Sequence, residues 1–261
     1  MLSYQHAYHA GNLADVHKHA LLAWMLSYLT QKDKPLTYIE THAGRGLYDL
    51  RAEEALKTGE AQQGIEMIDR LGWFKPEHPY SRVLTQVRAG HGPLAYPGSP
   101  LVAALLLRDI DQMTVAELHP QEYRALADAM LPYATLCRQT DGLQLALALT
   151  PPEPRRGLLL IDPSFEVKAD YEALPRLISQ LHRKWNVGII ALWYPILADS
   201  RHKLMMADLE AANLAKAFRH EVRFSPARDG HGMVGSGMFI VNAPFGTEEE
   251  AKRLSKLFAK L

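Results

Sequence analysis

The sequence has very little cysteine: Cys137 is alone in 261 residues. An internal disulfide is excluded, and a reducing compartment is expected. Net charge is missing as well, because 29 Lys+Arg balance 29 Asp+Glu. That excludes a whole-molecule magnet for nucleic acid but leaves room for a local basic patch. Long apolar runs are absent. The first one, ALLAWMLSYL at residues 20–29, is half of the roughly 20 residues a bilayer span needs. The opening MLSYQHAYHAGNLADVHKHA lacks the apolar centre of a signal peptide. A soluble, cytoplasmic protein without membrane contact is expected. No internal repeat or low-complexity stretch is visible.

What is present is an ordinary globular composition, 48% hydrophobic and 22% charged, in a chain long enough for one sizeable core. Apolar spacing predicts a helix over 14–30 and a short strand from Leu36 to Ile39. Residues 50–92 are charged, with helix-like patches and no convincing strand. They read as a helical insertion subdomain, leaving 1–49 and 93–261 as the main domain. After YPGSP the pattern alternates. Helices are predicted at 101–109, 121–130, 143–149, 170–185 and 199–214, and strands at 112–120, 134–142, 156–165 and 187–195. Two last strands, 220–226 and 236–244, have no helix between them. The pattern implies an α/β fold, mostly parallel, with an antiparallel edge hairpin.

In such a sheet ligands bind outside the carboxyl ends of the strands. Four consecutive predicted strands end on an acid: Glu40, Glu117, Asp141 and Asp162. A row of carboxylates suits a ligand rich in hydroxyl and amine donors, and an acid after the second strand commonly holds ribose hydroxyls. Gly44 and Gly46 allow close backbone approach. The turn is not G-x-G-x-x-G, which argues against a dinucleotide. Adenosine joined to an amino acid fits, and points to S-adenosylmethionine. The stretch Asp162-Pro163-Ser164-Phe165 suits methylation of a base amine. Such an amine is a poor nucleophile until acceptors draw its hydrogens out of the ring plane. The Asp162 carboxylate and the Pro163 carbonyl supply two acceptors, and Phe165 can stack on an extruded base.

Asp-Pro-x-aromatic resembles the motif of adenine amino-methyltransferases. Together with MLSYQHAYHAGNLADVHKH, KDKPLTYIETHAGRGLYDL, YPGSP, AELHP, ALWYP and SGMFIVNAP, the chain resembles the bacterial large-subunit (23S) ribosomal RNA adenine-N6 methyltransferases of the J type. The resemblance runs nearly end to end. It implies a Rossmann-like class I methyltransferase fold with a small helical insertion. It also implies cofactor contacts at His19, His42, Ser99, Glu117, Asp141 and Gly142, catalysis at Asp162 and RNA contact at Tyr4. The implied partner is large-subunit ribosomal RNA, protein-free or in an early assembly intermediate, met by a monomer. Some relatives are described as acting in catabolism of external DNA, so a DNA-handling protein with little methyl transfer is the alternative. Ser164 departs from the family, which has a second proline there, and adds a hydroxyl. His6, His9, His17 and His19 read as family site residues, as caps, or as a metal site; no metal is expected. Lys18, Arg45, the insertion's Lys/Arg, Arg223 and Arg228 are candidates for phosphate contacts. HGMVGSG, residues 231–237, reads as a loop.

Overall fold

The computed structural model describes residues 4–226 and 232–261. After a short 3-10 turn, the chain forms α1 (Leu13–Leu29), β1 (Thr37–Glu40) and β2 (Leu47–Asp49). Four helices follow: α2 (Glu53–Thr58), α3 (Glu60–Gln63), α4 (Ile65–Arg70) and α5 (Pro79–His91). Then come β3 (Ala95–Pro97), α6 (Ser99–Leu106), β4 (Gln112–Ala116), α7 (Pro120–Met130), β5 (Thr135–Arg138) and α8 (Gly142–Leu149). The chain continues through β6 (Gly157–Ile161), α9 (Asp170–Lys184), β7 (Ile189–Leu197) and α10 (His202–Ala211). It closes with β8 (Phe218–Arg223), β9 (Met233–Val241) and α11 (Thr247–Phe258).

Seven strands make one sheet in the order β5-β4-β1-β6-β7-β9-β8. The first five run parallel, and β9 is antiparallel to both β7 and β8. This is the Rossmann-like methyltransferase sheet that the resemblance implies, edge hairpin included. The central strands β1 and β6 are buried along their whole length, as expected where helices cover both faces. One face packs on α1, α5 and α6, with Leu21, Leu22, Met25 and Tyr80 in its core. The other packs on α9 and α10, around Trp185, Tyr171 and Met206.

The helices between β2 and β3 share the first core: Ile65, Ile68, Trp73 and Val83 belong to the same cluster as α1. Just outside the predicted interval, β2 and β3 pair antiparallel and close its base. Three-residue strands carry too little periodicity to be read from sequence. The stretch 233–237 is the start of β9 rather than a loop; Gly235 and Gly237 weaken its strand signal, and pairing with β7 and β8 supplies what propensity lacks. Arg228 and His231 lie outside the described residues. The helix α11 had no counterpart in the sequence reading. Its Ala251, Leu254 and Phe258 recur at helical spacing and are buried. Among the described residues no helix is long and apolar enough to cross a membrane.

Candidate active site

Sheet order reverses between β1 and β6, and the crevice there is where ligands enter such sheets. A cavity of about 480 Å³ opens at this point, within the range of small-molecule sites. Its wall includes the ten residues given catalytic, cofactor or RNA roles from sequence: Tyr4, His19, His42, Ser99, Glu117, Asp141, Gly142, Asp162, Pro163 and Phe165.

The loops after β1, β4 and β5 build one half of the cavity. Glu117 follows β4, and its carboxylate accepts from Gly44 N (2.9 Å) and His119 N (2.8 Å). Burial pushes the Glu117 carboxyl up, while those two N–H groups pull it back. Asp141 caps α8, with Oδ1 accepting from Leu143 N (2.9 Å) and Gln144 N (3.0 Å). At Gly142 an added Cβ would sit 1.8 Å from the Thr41 carbonyl oxygen. Glycine is therefore required to bring α8 against the end of β1. His42 bonds the Thr41 hydroxyl (2.7 Å) through Nδ1, and burial pushes its pKa down to about 4. Burial likewise holds His19 at about 3, so its ring is neutral at pH 7. His19 Nδ1 bonds Tyr96 OH (2.9 Å), while Nε2 is buried without a hydrogen-bond partner.

Glu40, the first of the four strand-end acids, lies behind the wall and is fully buried. It accepts from Ser99 Oγ (2.5 Å) and Tyr38 OH (2.8 Å). Burial nevertheless pushes its carboxyl up to about 8. The strand ends thus deliver three acids to the cavity and one to its support.

Side chains from distant segments build the other half. Lys18 Nζ on α1 donates to Asp162 Oδ2 (2.6 Å) and pairs with Asp15 Oδ1 (3.1 Å). Asp15 Oδ2 accepts from His6 Nε2 (2.8 Å), and His6 Nδ1 meets Tyr4 OH (2.8 Å). The Lys18 ammonium also lies 5.5 Å from the Trp193 ring centroid, a cation–π contact. Burial works against the Lys18 charge, but Asp162 and Asp15 outweigh it and raise the pKa. For Asp15, burial is outweighed by His6, Lys18 and His19, which hold the carboxyl well below its usual range. For Asp162, burial raises the carboxyl and Lys18 offsets only part of that rise.

Phe165 is packed against Tyr171 (4.7 Å between centroids) and Trp193 (6.2 Å). Its φ of 55° is in the left-handed region, which for a bulky residue costs on the order of 1–3 kcal/mol. Ser164 Oγ accepts weakly from Glu166 N at 3.5 Å across this turn.

Lys18, anticipated as a phosphate contact, is instead buried and paired with carboxylates. Arg45 is likewise engaged, forking onto Glu122 at 3.0 and 2.7 Å. His17 turns away from the cavity to Ser236 and His220. Among the described residues no group of three or more His, Cys, Asp or Glu is arranged to hold a metal ion. The sequence reading missed Asp15, whereas His6 stood among the histidines read as family site residues, caps or metal ligands. A signal existed: Asp15 and Lys18, one turn apart on an apolar helix, cannot be buried without partners. The second partner of Lys18, Asp162, is 144 residues away, and no local pattern reveals it.

A model of the family described as Ribosomal RNA large subunit methyltransferase D, RlmJ, matches residues 33–261. The Escherichia coli (strain K12) protein named Ribosomal RNA large subunit methyltransferase J is 40% identical over 256 residues, covering 96% of this chain and 90% of the relative. The Haemophilus influenzae protein of the same name is 36% identical over 267 residues, covering 100% of this chain and 94% of that one. The crystal structure of LPL1258 from Legionella pneumophila superposes with a TM-score of 0.87 at 35% identity, over 97% of this chain and 93% of that one. A family match over most of the chain and two such relatives settle the affiliation: the chain belongs to the RlmJ family of ribosomal RNA large subunit methyltransferases.

Proposed function

We propose that this protein transfers a methyl group from S-adenosylmethionine to the N6 amine of an adenine in large-subunit (23S) ribosomal RNA. The observation that carries the reading is that Asp162 faces the same cavity as Glu117 and Asp141. The residues present fit the cofactor. Glu117 stands after the second parallel strand, where ribose hydroxyls bind. Asp141 spends only Oδ1 on its helix cap, leaving Oδ2 for an amine donor. His19 Nε2, buried without a hydrogen-bond partner and 3.9 Å from Asp15 Oδ1, is a polar atom for a ligand to meet.

Bound S-adenosylmethionine supplies an electrophilic methyl on a sulfonium. Phe165 and Trp193 form the aromatic wall for an adenine extruded from the RNA. Lys18 occupies Asp162 Oδ2, so Oδ1 accepts one N6 hydrogen and the Pro163 carbonyl the other. The amine lone pair is freed to attack in line. With the cofactor bound, the methyl carbon would pass from the sulfonium sulfur to N6, the sulfur–carbon bond breaking as the new bond forms. N6 then carries a surplus proton, and Asp162 is placed to take it. Tyr4 and His6 close the cavity over the base. Positioning supplies most of the rate.

The substrate is protein-free RNA or an early assembly intermediate, met by a monomer in the cytoplasm, where bacterial ribosomal RNA is made. The test is transfer of labelled methyl to protein-free 23S RNA, with single-stranded DNA in parallel. Label recovered as N6-methyladenine in RNA alone is the expected outcome. Label in DNA alone, or in neither from folded protein, overturns the reading and favours a DNA-handling role.

A further inference from the structure

We propose that Glu60, on the helical insertion, is a positioning residue for methyl transfer: it docks the N-terminal segment that carries Tyr4 and His6. This rests on the methyltransferase reading above. Glu60 opens α3 and is buried. Its Oε1 accepts from His9 Nδ1 (2.9 Å) and its Oε2 from Asn12 Nδ2 (3.0 Å). A carboxylate this deep is stable only when its lone pairs are used. Both of these partners come from the segment leading into α1.

The surrounding turns form a seat for that segment. The Thr58 hydroxyl donates to the Tyr8 carbonyl, and Ile65 N donates to the Gly11 carbonyl at 2.7 Å. A Cβ on Gly64 would lie 2.1 Å from Gly11 O and 2.7 Å from Asn12 Cα. Gly11 itself has φ +79°, and a Cβ added there would lie 2.9 Å from Ile65 Cγ2 and 3.5 Å from Ala61 Cβ. Residues 58–65 therefore hold residues 8–12 by two backbone carbonyls, two side chains and close packing.

Asn12 links the seat to the chemistry. Its amide N–H goes to Glu60, while its Oδ1 caps α1 at Asp15 N (2.9 Å). Asp15 then holds His6 and Lys18, and Lys18 holds Asp162. Without Glu60, the Asn12 amide is free to turn and the segment bearing Tyr4 and His6 loses the two side-chain bonds that Glu60 makes to it. Cofactor contacts at Glu117 and Asp141 lie across the cavity and do not depend on it.

The test uses the full chain and protein-free 23S RNA. For Glu60→Ala, the single-turnover rate at saturating cofactor is expected to fall at least about tenfold, with cofactor affinity changed less than about threefold. Hydrogen-exchange protection at residues 8–12 is expected to drop by about tenfold or more, while amides of β1 and β6 keep theirs. A second route avoids a buried vacancy. Asn12→Asp keeps the α1 cap but sets a carboxylate against Glu60, so it should lose as much rate. Adding Glu60→Gln restores a donor between the two and should return the rate to within about threefold of wild type. A wild-type rate in Glu60→Ala, unchanged protection at 8–12, or no rescue in the double variant overturns the proposal. If the wild-type chain methylates no RNA, the functional reading fails. The exchange data and their rescue then decide on their own whether Glu60 docks the segment.

Discussion

The two halves of the cavity hold their carboxylates by opposite means. Glu117 and Asp141 are held by backbone N–H groups, most of them within three residues along the chain. Asp162 is held by the Lys18 ammonium from a different segment, and Asp15 by the Lys18 and His6 side chains with one backbone donor, Gly11 N (2.9 Å). Backbone donors are part of a loop's shape and stay put when a ligand leaves. A charge pair in a buried site is stable only while both members are present. One half is therefore set by local loop shape, and the other by a charge network that depends on each of its members.

The sharpest way to break this comparison is Asp162→Ala. Methyl transfer should fall by at least about a thousandfold, because both acceptor and proton sink are lost. Cofactor affinity, measured by calorimetry, should change less than about threefold. Parallel loss of both would show that the halves are not independent. Lys18→Met should slow transfer about 10–100-fold and shift its pH profile. In the proposed mechanism Asp162 works ionised, so the rate should fall as pH drops through its raised pKa. Lys18 opposes that rise, so its removal should move the acid limb to higher pH. An unmoved limb would mean that Lys18 does not act through Asp162.

For Glu117→Ala the order reverses: cofactor affinity should weaken about tenfold, with the saturated rate nearly kept. An unchanged dissociation constant would end its ribose role. Glu40→Gln separates support from site. A carboxyl raised by burial to about 8 contributes stability that is fully present below its unfolded value near 4.5. That contribution is lost as pH rises through the folded value. Denaturant unfolding from pH 5 to 9 should therefore decline less in Glu40→Gln than in wild type, by about 1–3 kcal/mol. Equal slopes would show that Tyr38 and Ser99 keep Glu40 ionised. The smallest effect is expected for Ser164→Pro, with a rate within about threefold of wild type and stability raised by about 0.5 kcal/mol. A larger gain in rate would show that the serine limits the chemistry.

The fold was largely legible because strand and helix periodicities are local. β1, β4, β6, β7 and the helices between them announce themselves by runs and spacing. The ribbon of β2 and β3 did not, since its strands are three residues long and gain meaning only by pairing across the helices between them. α11 carried an amphipathic spacing that the reading passed over.

The site divides along the same line. By itself the sequence determined which strand ends carry acids and that an Asp-Pro-x-aromatic turn follows β6. Each of these depends on residues within a few positions of one another. Only the tertiary structure decided that Glu40 sits behind the cavity and that Lys18 serves Asp162 rather than phosphate. It alone decided that Glu60 of the insertion holds the N-terminal segment. Burial and charge pairing are properties of the packed chain: a carboxylate's environment is set by groups that may be 51 or 144 residues away, and no local pattern encodes which ones will meet.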